Sequence, residues 1–395
     1  AMAAKVMVAV DEAIQTVLQE TEVKEVRACR IDQGVGKILA EDVEAQGNVP
    51  DRPLSVKDGF AINADSPSEF LSIVGETRAG NIDESIRITP GTAAYITTGS
   101  AIPEGANAVA MIEDTAALDQ VDEMGRKRIK LNVDVKPGQD VRGVGTDIAR
   151  GETVLRAGKR IDAADVGILA TLGIKTISVY SLPKIAFMST GDEVVDISSD
   201  EVAPHQIRDA NRPMLVAASK SICEDVVDLG IAGDKEEDIE SLLQEALRCK
   251  VDVLVTSGGV SMGDRDFVKP ALERKGKVFF GKVKMKPGKP LTFATIRDPE
   301  TDHKMLVFGL PGNPVSSYVT FTLVVIPTLR KMSGWARPHL RRIRVRTADA
   351  LSMDSRRPEY HRAVVKWCED EDGEGEGTAA SKVSSSFVAY STGNQ

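Results

Sequence analysis

At 395 residues the chain is too long for one ordinary hydrophobic core, so roughly two to four domains are expected. A net charge of −9 excludes a broad nucleic-acid face, which would be basic. The longest apolar run, Tyr318 to Leu329, is broken by Thr320, Thr322 and Pro327, which excludes membrane insertion there, and the opening AMAAKVMVAV lacks the basic start and long apolar core of a secretory signal. Cys29, Cys223, Cys249 and Cys368 are far apart and form no C-x-x-C, so neither a structural zinc site nor a disulfide framework is expected; the chain reads as cytoplasmic, with reduced thiols.

In chain order, DEAIQTVLQE (11–20) has helical spacing behind a capping Asp11. VPDRPLSVKDGFAI (49–62) reads as a Pro-rich loop, and residues 70–136 as an all-β insert rich in strand formers and turns. DAADVGILATLGI (162–174) predicts a helix capped by Asp162 and ended by Gly173, followed by the strand TISVY. From residue 183, strands alternate with helices: PKIAFMSTGDE, NRPMLVAASKSIC, VVDLGIAGD, KEEDIESLLQEALRC capped by Asp234, VDVLVTSGG, FVKPALERKG, KMLVFGLPG and a long helix over 313–332. That alternation predicts a parallel sheet with right-handed crossovers, with ligands at the carboxyl ends of its strands. LRRIRVRTADAL and EYHRAVVKW are strand-like, and the acidic, Gly/Ser-rich stretch 369–386 reads as a loop before FVAYSTGNQ.

Three Gly/Pro-punctuated stretches hold the candidate chemistry. In GLPGNPVSS (309–317), Asn313 and Pro314 fit the first positions of a helix, leaving the Val315 and Ser316 amides and the Ser316 hydroxyl for an anion; an ordinary strand–helix turn fits as well. In MKPGKP (285–290), Lys286 and Lys289 flank a stiff turn, where two ammonium groups repel unless an anion lies between them; the alternative is a solvated loop. In TSGGVSMGDRDF (256–267), the glycines admit close approach of a ligand, Ser261 can bond an oxyanion, and Asp264 and Asp266 are carboxylates of the type that hold Mg²⁺, although Asp266 could simply cap the next helix. Asp234, Asp192 and Glu193 would complete an acidic set at strand ends, although helix capping fits Asp234 and a solvated loop fits the other two as well. SVKDG (Lys57, Asp58) and YITTGS (Thr97, Thr98, Ser100) read as exposed turns able to lid a site elsewhere. No G-x-x-x-x-G-K-[ST] and no G-x-S-x-G is present, which argues against P-loop NTPase and α/β-hydrolase chemistry. These residues by themselves support Mg²⁺-dependent work on a phosphorylated or oxyanionic small molecule.

The same segments resemble the MoeA family, including the gephyrin E domain and, most closely, the plant molybdenum insertase E domain. The resemblance rests on SVKDGFA, TTGSAIPEGANAV, GTDIARGE, MSTGDE, QIRDANRPML, TSGGVSMGDRDFVKP, MKPGKPLTFA, LPGNPVSS, RPEYHRA and STGNQ, in family order over nearly the whole chain. It implies an α/β multidomain protomer in a homodimer. Residues 1–50 and 138–180 would form a discontinuous α/β N-terminal domain, 51–137 a β-rich insert domain, 181–332 a three-layer molybdopterin-binding-like α/β domain, and 333–395 an incomplete C-terminal β-barrel. The implied reaction inserts molybdate into adenylylated molybdopterin and releases AMP. Lys286, Lys289, Ser316 and Arg357 would hold the molybdate or the pterin phosphate, with Ser261 and Ser391 nearby. Asp234 and Asp266 would place Mg²⁺. Asp58, Thr98, Asp147 and Glu193 match functional family positions, the first two reaching the partner protomer's site. The resemblance also brings a molybdopterin adenylyltransferase domain or protein as partner, a cytoskeletal contact, and two competing roles: a gephyrin-like scaffold for receptor loops, or the adenylyltransferase reaction itself.

Overall fold

A computed structural model describes residues 7–81, 83–259, 267–369 and 385–392. Its central feature is a six-stranded sheet in the order Asp225–Ala232, Lys184–Thr190, Val253–Ser257, Lys304–Leu310, Thr292–Arg297, Gly276–Phe280. The first four strands are parallel, as the alternation of strands and helices predicts. The last two pairings are antiparallel, because Thr292–Arg297 runs against both of its neighbours, so the sheet is mixed rather than parallel. The reason is connection length: residues 298–303 are too few for a crossover helix and can only turn the chain back.

Helices cover both faces, and the alternation of side chains along each strand divides the core. Ile185 and Phe187 point to one side, where α1 (Val10–Glu20), α3 (Asn211–Ser219), α6 (Pro314–Thr320) and α7 (Ile326–Met332) pack around Phe280, Phe293, Phe308 and Phe321. Ala186 and Met188 point to the other, against α4 (Glu236–Arg248) and α5 (Val268–Lys275). This gives the three layers. α1 thus buries Val10, Ala13, Ile14 and Val17 against the central sheet although it lies at the start of the chain.

Several local expectations change. The N-cap of α1 is Ala9, with Asp11 inside the first turn. Asp234 is not a cap either, because α4 begins behind Lys235, which leaves the Asp234 carboxylate uncommitted to a helix end. Asp162 does cap α2 (Ala163–Thr171), accepting from the Ala164 and Asp165 amides, and Gly173 takes φ +71°. The expected long helix over 313–332 is interrupted by a π-helical stretch, Phe321–Val325, between α6 and α7.

A second six-stranded sheet is built from Ala108–Met111, Gly59–Ile62, Thr92–Ile96, Phe70–Thr77, Lys127–Leu131 and Thr115–Val121, in that order. Gly59–Ile62 is a wholly buried strand inside it, not a loop. The Pro-rich approach hides this, but a Cβ at Gly59 would lie 1.9 Å from the Ala110 carbonyl oxygen, so glycine is what lets the strand pair there. Val26–Arg30 pairs antiparallel with Thr176–Tyr180, tying an early and a later segment into one small core with Leu39, Leu155, Ile161 and Leu169. Of the expected C-terminal barrel, the described residues form a three-stranded sheet of Arg346–Thr347, Ser385–Ser391 and Ala363–Glu369. The strand expected over LRRIRVRTADAL is reduced to Arg346–Thr347. Among the described residues no helix is long and apolar enough to cross a membrane.

Candidate active site

Strand Lys184–Thr190 has its two parallel neighbours on opposite sides, so the chain changes direction at the gap between it and Val253–Ser257. In open α/β sheets that gap opens a crevice at the carboxyl ends of the strands. The structure has a cavity of about 420 Å³ there, lined by Ser189, Thr190, Gly191, Glu193, Asn211, Asp234, Ser257, Gly258, Gly259, Pro290, Gly312 and Pro314 among others. All three glycine-rich stretches therefore reach one crevice.

The backbone explains why glycine stands where it does. Gly258 and Gly259 take φ +88° and +63°, and a Cβ on either would lie under 3.0 Å from the Thr190 hydroxyl. The described part of the loop is thus pressed against the end of the first strand. Asn211, at the start of α3, clips two loops together: its Nδ2 donates to Ser257 Oγ at 2.6 Å and to the Gly312 carbonyl at 2.7 Å. The Asn211 Oδ1 and Ser189 Oγ are buried without a partner in the walls of this cavity, an arrangement that a polar ligand or bound solvent would relieve.

Of the sequence-predicted residues, Glu193 and Asp234 line the cavity. Asp192 Oδ1 accepts from the Asp234 amide at 3.0 Å, which holds the two acidic loops side by side and leaves the Asp234 carboxylate available. Among the described residues no group of three or more His, Cys, Asp or Glu is placed to hold a metal ion. Ser261, Asp264 and Asp266 lie outside the described residues. Asn313 caps α6 as expected, but its Oδ1 accepts from the Ser316 amide at 3.1 Å. That amide is not free for an anion, and the Ser316 hydroxyl also donates to Asn313 Oδ1, at 3.4 Å.

The KPGKP turn sits beside the crevice through Pro290, and Gly288 at φ +97° presses on Thr320 of α6, 2.5 Å from where its Cβ would stand. Lys289 is exposed and makes no ion pair with a described residue. Lys286 is paired with Glu359, so the chain itself supplies an anion to this lysine pair. Arg357 forks onto Asp354, with Nε and Nη2 at 3.0 and 2.7 Å from Oδ2. Ser391 ends a strand in register with Ala363. Asp58 and Thr98 meet each other, the Thr98 amide and hydroxyl both donating to Asp58 Oδ1 at 2.6 and 3.1 Å. Asp147 pairs with Arg142. These last three belong to the other part of the molecule and do not line the crevice.

Sequence reasoning quoted Asn211, Arg212 and Glu359 within larger motifs but gave them no role. Arg212 is buried and pairs with Asp196, Asp209 and Asp228, binding the loop that carries Glu193 and Arg208 to α3 and the edge strand. RDANRP holds one aspartate, Asp209, three residues before Arg212, and the other two partners, Asp196 and Asp228, are each 16 residues away, which spacing alone does not resolve.

Residues 8–173 match the MoeA N-terminal region (domain I and II), and residues 186–331 match a probable molybdopterin binding domain. The gephyrin of Dictyostelium discoideum is 38% identical over 98% of this chain, and the chain spans only 57% of that protein's length. The molybdopterin molybdenumtransferase of Haemophilus influenzae is 36% identical over 78% of this chain and 74% of its own. The enzyme of the same name from Bacillus subtilis is 34% identical, over 84% and 76%. The crystal structure of the molybdopterin biosynthesis MoeA protein from Pyrococcus horikoshii superposes with a TM-score of 0.74 at 25% identity, covering 98% of this chain and 90% of that one. With one family model matched in each half of the chain and a relative 36% identical over most of it, the chain belongs to the MoeA family.

Proposed function

We propose that the chain is a molybdopterin molybdenumtransferase, inserting molybdate into adenylylated molybdopterin and releasing AMP. The observation that carries this reading is the convergence of three loops on one crevice at the switch point of the central sheet, with Glu193 and Asp234 in its lining and the KPGKP turn reaching it through Pro290. The names of the bacterial relatives support it.

Lys289 and Lys286, with the Ser316 hydroxyl and Arg357, would hold the molybdate or the pterin phosphate by charge-assisted hydrogen bonds. Ser261 and Ser391 would stand nearby. Ammonium groups in these positions offset negative charge that builds on the leaving phosphate. Asp234 and Asp266 would hold Mg²⁺, since carboxylate oxygens are the donors it takes and the Asp234 carboxylate has no helix end to cap. When bound, the ion would neutralise phosphoanhydride charge. Glu193 would orient the nucleotide end. Asp58, Thr98 and Asp147 lie outside this crevice, which fits a homodimer in which Asp58 and Thr98 complete the partner's site. The domain limits given above, a cytoplasmic location, supply of substrate by a molybdopterin adenylyltransferase and a cytoskeletal contact belong to the same reading.

The test is turnover of adenylylated molybdopterin and molybdate, with and without Mg²⁺. Asp266→Ala and Lys289→Ala should each abolish AMP release. Normal release by both variants would refute the assignment.

A further inference from the structure

Lys286 is one of two ammonium groups given to the oxyanion above, yet its charge is already met within the chain. Its Nζ pairs with Glu359, whose side chain is only 2% exposed while that of Lys286 is 43% exposed. The other oxygen of Glu359 accepts from His361 Nε2 at 3.3 Å. A carboxylate so enclosed persists as an anion only with such partners. The Lys286 ammonium paired with it holds the Glu359 carboxyl below its ordinary range, so Glu359 is a carboxylate at neutral pH.

The backbone fixes the pair in register. Lys286 N donates to the Pro358 carbonyl at 2.9 Å, and Tyr360 N donates to the Lys286 carbonyl at 2.8 Å. Together these make a parallel bridge that sets Glu359 directly against Lys286. Tyr360 packs on the core of the central sheet, so the segment cannot slide along the turn. Arg357 lies two residues before Glu359 on this same anchored segment.

Two consequences of this pairing oppose each other. A carboxylate that merely competes for the ammonium would weaken oxyanion binding, and its removal would strengthen it. A carboxylate that fixes the ammonium would do the reverse. The exposures decide between them. Glu359 is enclosed and held on both sides by backbone hydrogen bonds, whereas the Lys286 tip reaches the surface with N–H donors to spare. One net positive charge, rather than two, also lets Lys286 and Lys289 share a short turn before any anion arrives.

We infer that Glu359 is a positioning residue of the oxyanion site: it fixes the Lys286 ammonium beside Lys289 and joins the segment bearing Arg357 to the KPGKP turn. The inference rests on the proposed function, and it applies to a tetrahedral oxyanion whether that is molybdate or the pterin phosphate.

The experiment is a pairwise cycle in the full chain: wild type, Glu359→Ala, Lys286→Ala and the double variant, with Glu359→Gln as the isosteric control. KM for molybdate, KM for adenylylated molybdopterin and kcat are measured separately, with circular dichroism melts of each protein. Glu359→Ala should raise one of the two KM values by about tenfold or more, the loss expected for a displaced charge-assisted hydrogen bond. The KM that rises names the oxyanion. The double variant should be no worse than Lys286→Ala, because the two residues act as one unit, and Glu359→Gln should recover part of the loss. A fall in KM for Glu359→Ala, or a double variant as impaired as the product of the single effects, would overturn the inference. Absence of wild-type turnover would overturn the proposed function instead, and wild-type turnover with an unaffected Glu359→Ala would overturn this inference alone.

Discussion

Replacing Arg212 with Met tests how the crevice wall is held. The guanidinium side chain is 8% exposed and reaches three carboxylates: Asp209 at 2.9 Å, Asp196 and Asp228. Methionine fills a similar volume but carries no charge, so the change isolates the electrostatic part. Asp209 is 2% exposed and would be left buried without its cation, a loss of about 3–5 kcal/mol. Asp196 and Asp228 are 41% and 49% exposed and can be solvated, so they add little. Against a typical total stability of about 5–15 kcal/mol, that is a large fraction. Urea unfolding followed by circular dichroism should therefore show a midpoint shifted well below wild type. Because Asp196 and Asp209 flank the loop with Glu193 and Arg208, substrate KM should rise as well. Arg212→Lys should recover only part, since an ammonium cannot fork to three carboxylates. A loss below about 1 kcal/mol for Arg212→Met would refute the reasoning, because it would mean that Asp209 is not buried against this cation.

The same cluster should respond to acid. Hydrogen bonds from Ser198, then from Arg212, lower Asp196 to about 2, so its contribution is present above an unfolded carboxyl pKa near 4 and is lost as pH falls from there through about 2; a stability–pH curve for wild type and Asp196→Asn should converge across that window. Burial, reinforced by Asp252, pushes the Cys223 thiol up to about 12, so it should react slowly with a thiol reagent at neutral pH in the folded protein and readily in denaturant. Its raised pKa favours the folded state below the ordinary thiol pKa of about 8.5, and that contribution is lost as pH rises from there toward about 12; equal labelling rates in both states would contradict the burial. Gly288→Ala places a Cβ 2.5 Å from Thr320 at φ +97° and should cost at least about 1–2 kcal/mol by urea titration, with a matching loss of turnover.

Much of this protein was determined by its sequence alone. Strand–helix alternation from residue 183 is written in local patterns of apolar residues, and local pattern is what decides a parallel layer and its covering helices. Glycine and proline punctuation marked the three loops, because positive φ and close approach demand those residues wherever the chain folds. Other features were decided only in three dimensions. The buried strand Gly59–Ile62 is recognisable only once Ala108–Met111 and Thr92–Ile96 lie on either side of it. The short connection 298–303 turns the chain back, but that Thr292–Arg297 also takes Gly276–Phe280 on its other side is decided by packing. The charge partners were least legible of all. Lys286 and Glu359 are 73 positions apart, and Arg212 and Asp228 lie on different elements, so no spacing rule connects them. Sequence placed the lysines on a turn and asked for an anion between them; the tertiary fold brought Glu359 to one of the two, Lys286, because only packing can carry a charge across such a distance along the chain.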